Sequence, residues 1–270
     1  MGKSNTSRKQ IKFISQALTF ITKPSVLINS AGFVIIMWIT SNLIYRLSGY
    51  YEYVLRMYNS IKVSGAVYTG PWPEVSAAAA AVCVLLALLQ IILDVGYAGY
   101  TLQVSRGKKA GFNAVFCGFD HPLKALALGL YKYACIYIGL GFFVVPGVYF
   151  AYRYRFLFFS LFDMEDEPLP AVIRASAGEM RGNKTKMLIF DASFLGWLVA
   201  GYMLSQGFLP LLDIWVRPYM GIAGAVCYNL ITEKGGVITI KVDEDGAEII
   251  SEEKPPEDQS GGRNGGDKSK

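Results

Sequence analysis

The sequence predicts an all-α, polytopic transmembrane bundle of about six spans with a short soluble C-terminal tail. Three features carry that prediction. Of the 270 residues, 53% are hydrophobic and only 17% charged, giving a mean hydropathy of +0.34. That is more apolar surface and less charge than a water-soluble domain carries. The apolar residues gather in runs of about twenty, the length at which a helix crosses a hydrocarbon core of roughly 30 Å. Finally, Lys and Arg collect at the ends of those runs rather than in one patch.

The runs follow in order. Residues 26–45 make the first, which has no small-residue cleavage site and so reads as a span rather than a removed leader. Residues 46–73, rich in Tyr, Arg and Glu up to Gly70-Pro71-Trp72-Pro73, read as an interfacial segment able to hold a short surface helix. Residues 75–102 open with five alanines and contain one acid, Asp94, as the second span. Residues 125–145, with Lys132, are the third. Pro146-Gly147 predicts a tight turn there, because proline lacks a backbone donor and glycine frees φ. Residues 148–162, carrying Arg153 and Arg155, then return as a short fourth span, with a re-entrant or interfacial helix as the alternative. The acidic stretch 163–170 leads to a short amphipathic surface helix over residues 171–180. Residues 187–204 and 211–231 complete the six spans, and Arg217-Pro218 is expected to kink or shorten the last.

Orientation comes from the cations. Lys3, Arg8, Lys9, Lys12 and Lys23 precede span one. Arg106, Lys108, Lys109 and Lys124 precede span three, and Arg174, Arg181, Lys184 and Lys186 precede span five. These alternate segments share one side, so both termini are expected in the cytoplasm. The chain divides into a basic N-terminal segment (1–24), a transmembrane helical domain (25–232) and a cytoplasmic, largely disordered tail (233–270). Within the tail, residues 237–242 form a β-like run and 243–246 a turn signal.

Several function classes lack their residues. His121 is the only histidine and reads as a loop or helix-start residue in the polar stretch 118–122. The four cysteines, Cys83, Cys117, Cys135 and Cys227, form no CxxC pair. A Ser/His/Asp or Cys/His arrangement would have to use that one histidine, and no cluster has metal-ligand spacing, so no enzyme, metal or cofactor is expected. The modest net charge of +5 argues against nucleic acid as a partner.

The candidate functional residues are the ionisable groups inside spans, each costing about 2.5–3.5 kcal/mol at a helix centre on insertion scales. They are Asp94, Lys132, Arg153, Arg155, Asp191 and Arg217. Acids and bases at similar depth can pair and lower that cost. Ser193, Gly196 and Ala200 fall three to four apart on one helix face, as helix-packing residues do.

Several stretches together are informative: Gly99-Tyr100, Ser105-Arg106-Gly107, Gly118-Phe119, Val145-Pro146-Gly147, Ala175-Ser176, Glu179-Met180-Arg181-Gly182-Asn183-Lys184, Asp191-Ala192-Ser193-Phe194-Leu195-Gly196-Trp197 and Pro218-Tyr219. In this order and spacing the chain resembles, over about residues 90–231, the bacterial integral membrane family known as domain of unknown function 975. Leu195 and Arg181 stand where the family more usually has isoleucine and lysine. The resemblance implies a multi-span protein of the bacterial cytoplasmic membrane and no established activity. The function expected is therefore binding of lipid, a membrane partner (including a second copy of the chain) or a small solute. A permease-like protein using the buried charges is the alternative.

Overall fold

The computed structural model describes residues 24–192, 195–196, 199–200, 211–232, 238–243 and 246–251. The described elements are α1 (Pro24–Leu47), α2 (Tyr50–Ser64), α3 (Ala77–Ser105), a 3-10 helix η1 (Phe112–Phe119), α4 (Pro122–Phe142), α5 (Val144–Arg153), α6 (Leu157–Asp163), α7 (Leu169–Glu179), α8 (Lys184–Ala192) and α9 (Leu211–Thr232). An antiparallel hairpin of β1 (Ile238–Asp243) and β2 (Gly246–Ser251) follows. The β-like run and turn signal of the sequence are thus a hairpin. The N-terminal basic segment up to residue 23 and the tail beyond 251 lie outside the described residues.

Local chemistry sets the helix ends. Pro24 and Pro122 open α1 and α4 at a position where an N–H would have no helical partner. Ser76 caps α3, its hydroxyl accepting from the Ala79 N–H at 3.2 Å, and the alanines that follow have the highest helix propensity. Gly49, at φ 72°, turns the chain between α1 and α2, a conformation that penalises any side chain. The expected surface helix within 46–73 is α2; it buries no residue and sits beside a stack of Tyr53 on Trp72 with centroids 4.8 Å apart.

Among the described residues three helices are long and apolar enough to cross a membrane: α1 with 24 residues, α3 with 29 and α4 with 21. α1 and α3 run antiparallel. Tyr100 Oη donates to the Val26 carbonyl (3.5 Å), Phe33 stacks on Tyr97 (4.1 Å), and Gln90 donates to Thr40 Oγ1 (2.9 Å). At about 1.5 Å per residue α3 is about 43 Å long, and its two halves differ. Every buried residue of α3 falls between Ile92 and Ser105, while the apolar first half, including Val82, Val84 and Leu85, is exposed.

The buried half of α3 is where the chain crosses back on itself. η1 lies against it so closely that a Cβ on Gly96 would stand 2.1 Å from the Val115 carbonyl oxygen, and one on Gly118 would stand 2.3 Å from the Ile92 carbonyl oxygen. Glycine on both partners permits this backbone-on-backbone packing, and Cys117 Sγ donates to the Gly96 carbonyl (3.4 Å).

The expected fourth span requires correction. The turn after α4 falls at Phe143, a single extended residue, and not at Pro146-Gly147. Pro146 occupies the first turn of α5, where its missing donor costs nothing. Gly147 instead lets α5 pack on α4, since a Cβ at Gly139 would meet Gly147 Cα at 2.9 Å. Residues 148–162 are then divided between α5, of ten residues, and α6, of seven, each too short to cross a bilayer alone. The helix breaks at residues 154–156, where the amides of Arg155 and Leu157 bond three residues back, to Tyr152 and Tyr154.

Of the expected fifth span, α8 covers the start and much of the rest lies outside the described residues. α9 continues past Pro218 to Thr232, so the proline does not shorten it. The expected amphipathic helix at 171–180 is α7, which buries Val172 and Ser176.

Gly96→Ala must push η1 away from α3, whereas Gly178→Ala meets open space. Thermal melting in detergent should show Gly96→Ala less stable by about 1–3 kcal/mol, as overpacking costs, and Gly178→Ala unchanged.

Candidate functional site

Where α3 ends, Arg106 turns its guanidinium across to two other elements. Nη1 and Nη2 donate to Asp163 Oδ1 (2.7 Å) and Oδ2 (2.9 Å) at the end of α6, and Nε donates to Asn229 Oδ1 (3.1 Å) on α9. Tyr228 Oη donates to Asp163 Oδ2 (2.8 Å), and Asn229 Nδ2 to Ser105 Oγ (2.9 Å). The Asp163 side chain is only 7% exposed, so this bidentate pair and its hydrogen bonds replace the water it has lost. Sequence reasoning assigned Arg106 to a basic loop and Asp163 to an acidic turn. Their separation of 57 residues gives no local signal that they meet.

The buried charges predicted from sequence sort into three groups. Arg155 and Asp191 pair, Nη2 donating to Oδ1 at 2.9 Å and Nη1 to Oδ2, while Tyr152 Oη adds a bond to Oδ2 (2.9 Å). The break between α5 and α6 places Arg155 for this. Asp94 accepts from Tyr133 Oη (3.0 Å) and lies within electrostatic reach of Lys132 and Arg217, while Lys132 Nζ stands 4.0 Å over the Phe158 ring. Arg217 itself is exposed on α9. Arg153, two residues before Arg155, joins neither acid and faces a cavity instead. Of the expected packing residues, Ser193 lies outside the described residues. Gly196 is exposed with nothing within 4 Å of a Cβ, and Ala200 is half-buried, so no close helix approach centres on Gly196 among the described residues.

The cavity, about 600 Å³, opens between α4, α5, α7 and the start of α8. Its walls carry four cations: Arg153 of α5, Arg174 of α7, Arg181 of the following turn and Lys184 of α8. Buried Met180 pins that turn, and Gly182, at φ 74°, reverses it, so that Arg181 and Lys184 both face inward. Tyr131 and Tyr154 form one wall with their hydroxyls 2.9 Å apart, and Lys184 Nζ stands 4.0 Å over the Tyr149 ring. Among the described residues no carboxylate lines it; Glu179, next in chain, accepts a bond from Ser160 Oγ (3.1 Å). None of the four cations has an ion pair among the described residues. A volume within the roughly 300–1,000 Å³ of small-ligand sites, with fixed positive charge and no counter-charge, suits an anion.

Burial pushes the Cys117 thiol up to about 11, so it ionises less readily than a free thiol. His121 stands 4.0 Å from Glu165 on an exposed surface. Among the described residues no three His, Cys, Asp or Glu side chains gather as a metal site would need.

Residues 130–235 match the family described as protein of unknown function (DUF975), the family that the sequence motifs resemble. The matched stretch holds Tyr131, the α5–α6 break, Arg155, Asp191 and all four cavity cations; Asp94 and Arg106 precede it. No curated protein and no solved structure matches the chain.

Removing one member of the Arg106–Asp163 pair strands the other in a dry site. Asp163→Ala should lower unfolding stability by about 3 kcal/mol, and the double variant Arg106→Met/Asp163→Leu should recover most of it. Additive effects in that cycle, read by thermal melting, contradict the clamp.

Proposed function

We propose that the chain is a multi-pass protein of the bacterial cytoplasmic membrane that acts by binding rather than catalysis, taking an anionic ligand in the cavity lined by Arg153. One observation carries this reading. Three acids, Asp94, Asp163 and Asp191, are engaged by other side chains of the protein, whereas four cations face an open cavity that no acid lines among the described residues. The engaged acids act as fasteners between helices: α3 to α4, α3 to α6, and α8 to the α5–α6 break. What remains uncompensated is positive and accessible, which is the arrangement of a binding site.

Membrane residence is supported by α1, α3 and α4 and by the exposed apolar half of α3. We place both termini in the cytoplasm from the distribution of Lys and Arg, which also puts Arg174, Arg181 and Lys184 on the cytoplasmic side, where anionic headgroups are abundant. The helix break beside Arg153 and Arg155 is the one observation that favours the permease alternative, because transporters place substrate sites at such breaks. Against it, Arg155 is engaged by Asp191 and Tyr152 and offers no free charge to a moving solute.

Reconstitution separates the two. Proteoliposomes should dissipate an imposed pH gradient or membrane potential at the rate of protein-free vesicles. Flux above that rate, abolished by Arg153→Ala, would establish the permease reading instead.

A further inference from the structure

We propose that the cavity between α4, α5 and α7 holds the phosphate of an anionic phospholipid, with its acyl chains lying along the apolar faces of α5 and α8. This rests on the binding reading above and names the ligand. Three guanidinium groups and one ammonium line a single cavity with no acidic side chain. Confining them together is unfavourable through mutual repulsion until an anion enters. Phosphate suits them better than a halide or a single carboxylate does. Its oxygens accept from several guanidinium forks at once, and the lysine adds a point charge. The tyrosines add a polar wall: the Tyr131 and Tyr154 hydroxyls lie 2.9 Å apart among the residues that line the cavity.

The surroundings point to a lipid rather than a soluble phosphate. α5 leaves Val144, Val145 and Val148 exposed, Val145 by 78%, and α8 leaves Leu188 and Ile189 exposed. These two helices pack on each other, and both line the cavity, α5 with Tyr149 and Arg153 and α8 with Lys184. A charged cavity that runs onto an apolar strip matches a molecule with an anionic head and hydrocarbon tails. A soluble anion makes no use of the strip.

The experiment uses the full chain, delipidated in a neutral detergent, with native mass spectrometry and thermal melting as readouts. Phosphatidylglycerol, phosphatidylcholine and inorganic phosphate are the probes. Arg174→Gln and Arg181→Gln are suitable variants because both side chains are exposed, so their removal leaves the packing intact; Arg56→Gln on α2 is the control. Phosphatidylglycerol should be retained over phosphatidylcholine and should raise the melting temperature. Each cavity substitution should lower its occupancy about fivefold, as expected for loss of one basic side chain near an anionic lipid; the control should not. Equal phosphatidylglycerol occupancy in wild type and both cavity variants overturns the proposal. If inorganic phosphate alone stabilises the protein with the same arginine dependence, the lipid assignment falls and anion binding stands. If neither probe binds, both fall.

Discussion

A charge moved out of water must be met by another group, and in this chain that constraint decides which helices touch. Arg106 is the clearest instance. It ends α3, and its guanidinium supplies three hydrogen bonds that reach α6 and α9 together. Those two elements lie far from α3 in sequence, and the buried half of α3 is the surface on which they assemble. Arg155 repeats the device on a smaller scale by joining the α5–α6 break to α8 through Asp191. Backbone obeys the same rule: where the helix breaks at residues 154–156, the freed amides bond three residues back, and the break persists without stranding them.

Against this background the four cavity cations stand out because nothing in the described chain compensates them. Tyrosine rings and hydroxyls surround them, and such groups position a cation without neutralising it. A site with charge left over is prepared for something from outside, which is why binding, and not scaffold geometry alone, is the functional reading.

The sequence made some of this plain and hid the rest for identifiable reasons. α1, α3 and α4 are legible because a bilayer demands about twenty apolar residues in a row and few other structures do. The break between α5 and α6 is not, since hydropathy averages over Tyr154 and Phe156 and cannot see that Arg155 must turn toward Asp191. That an arginine on this segment meets an acid was readable from the cost of burying either; that Asp94 takes a tyrosine was not. Arg174, Arg181 and Lys184 were hidden by their own ordinariness, because cations beside a span are adequately explained as topology signals. α7 carries Arg174 to the cavity that Arg153 lines, and the reversal at Gly182 after buried Met180 brings Arg181 and Lys184 there.

Arg153 and Arg155 offer the most direct measurement, since a single residue, Tyr154, separates an uncompensated cation from a paired one. Arg155→Met should lower the melting temperature in detergent and leave retention of phosphatidylglycerol nearly unchanged. Arg153→Met should do the reverse. If both variants lose stability to the same degree and retain lipid equally, the division of these charges into fasteners and a binding site is wrong.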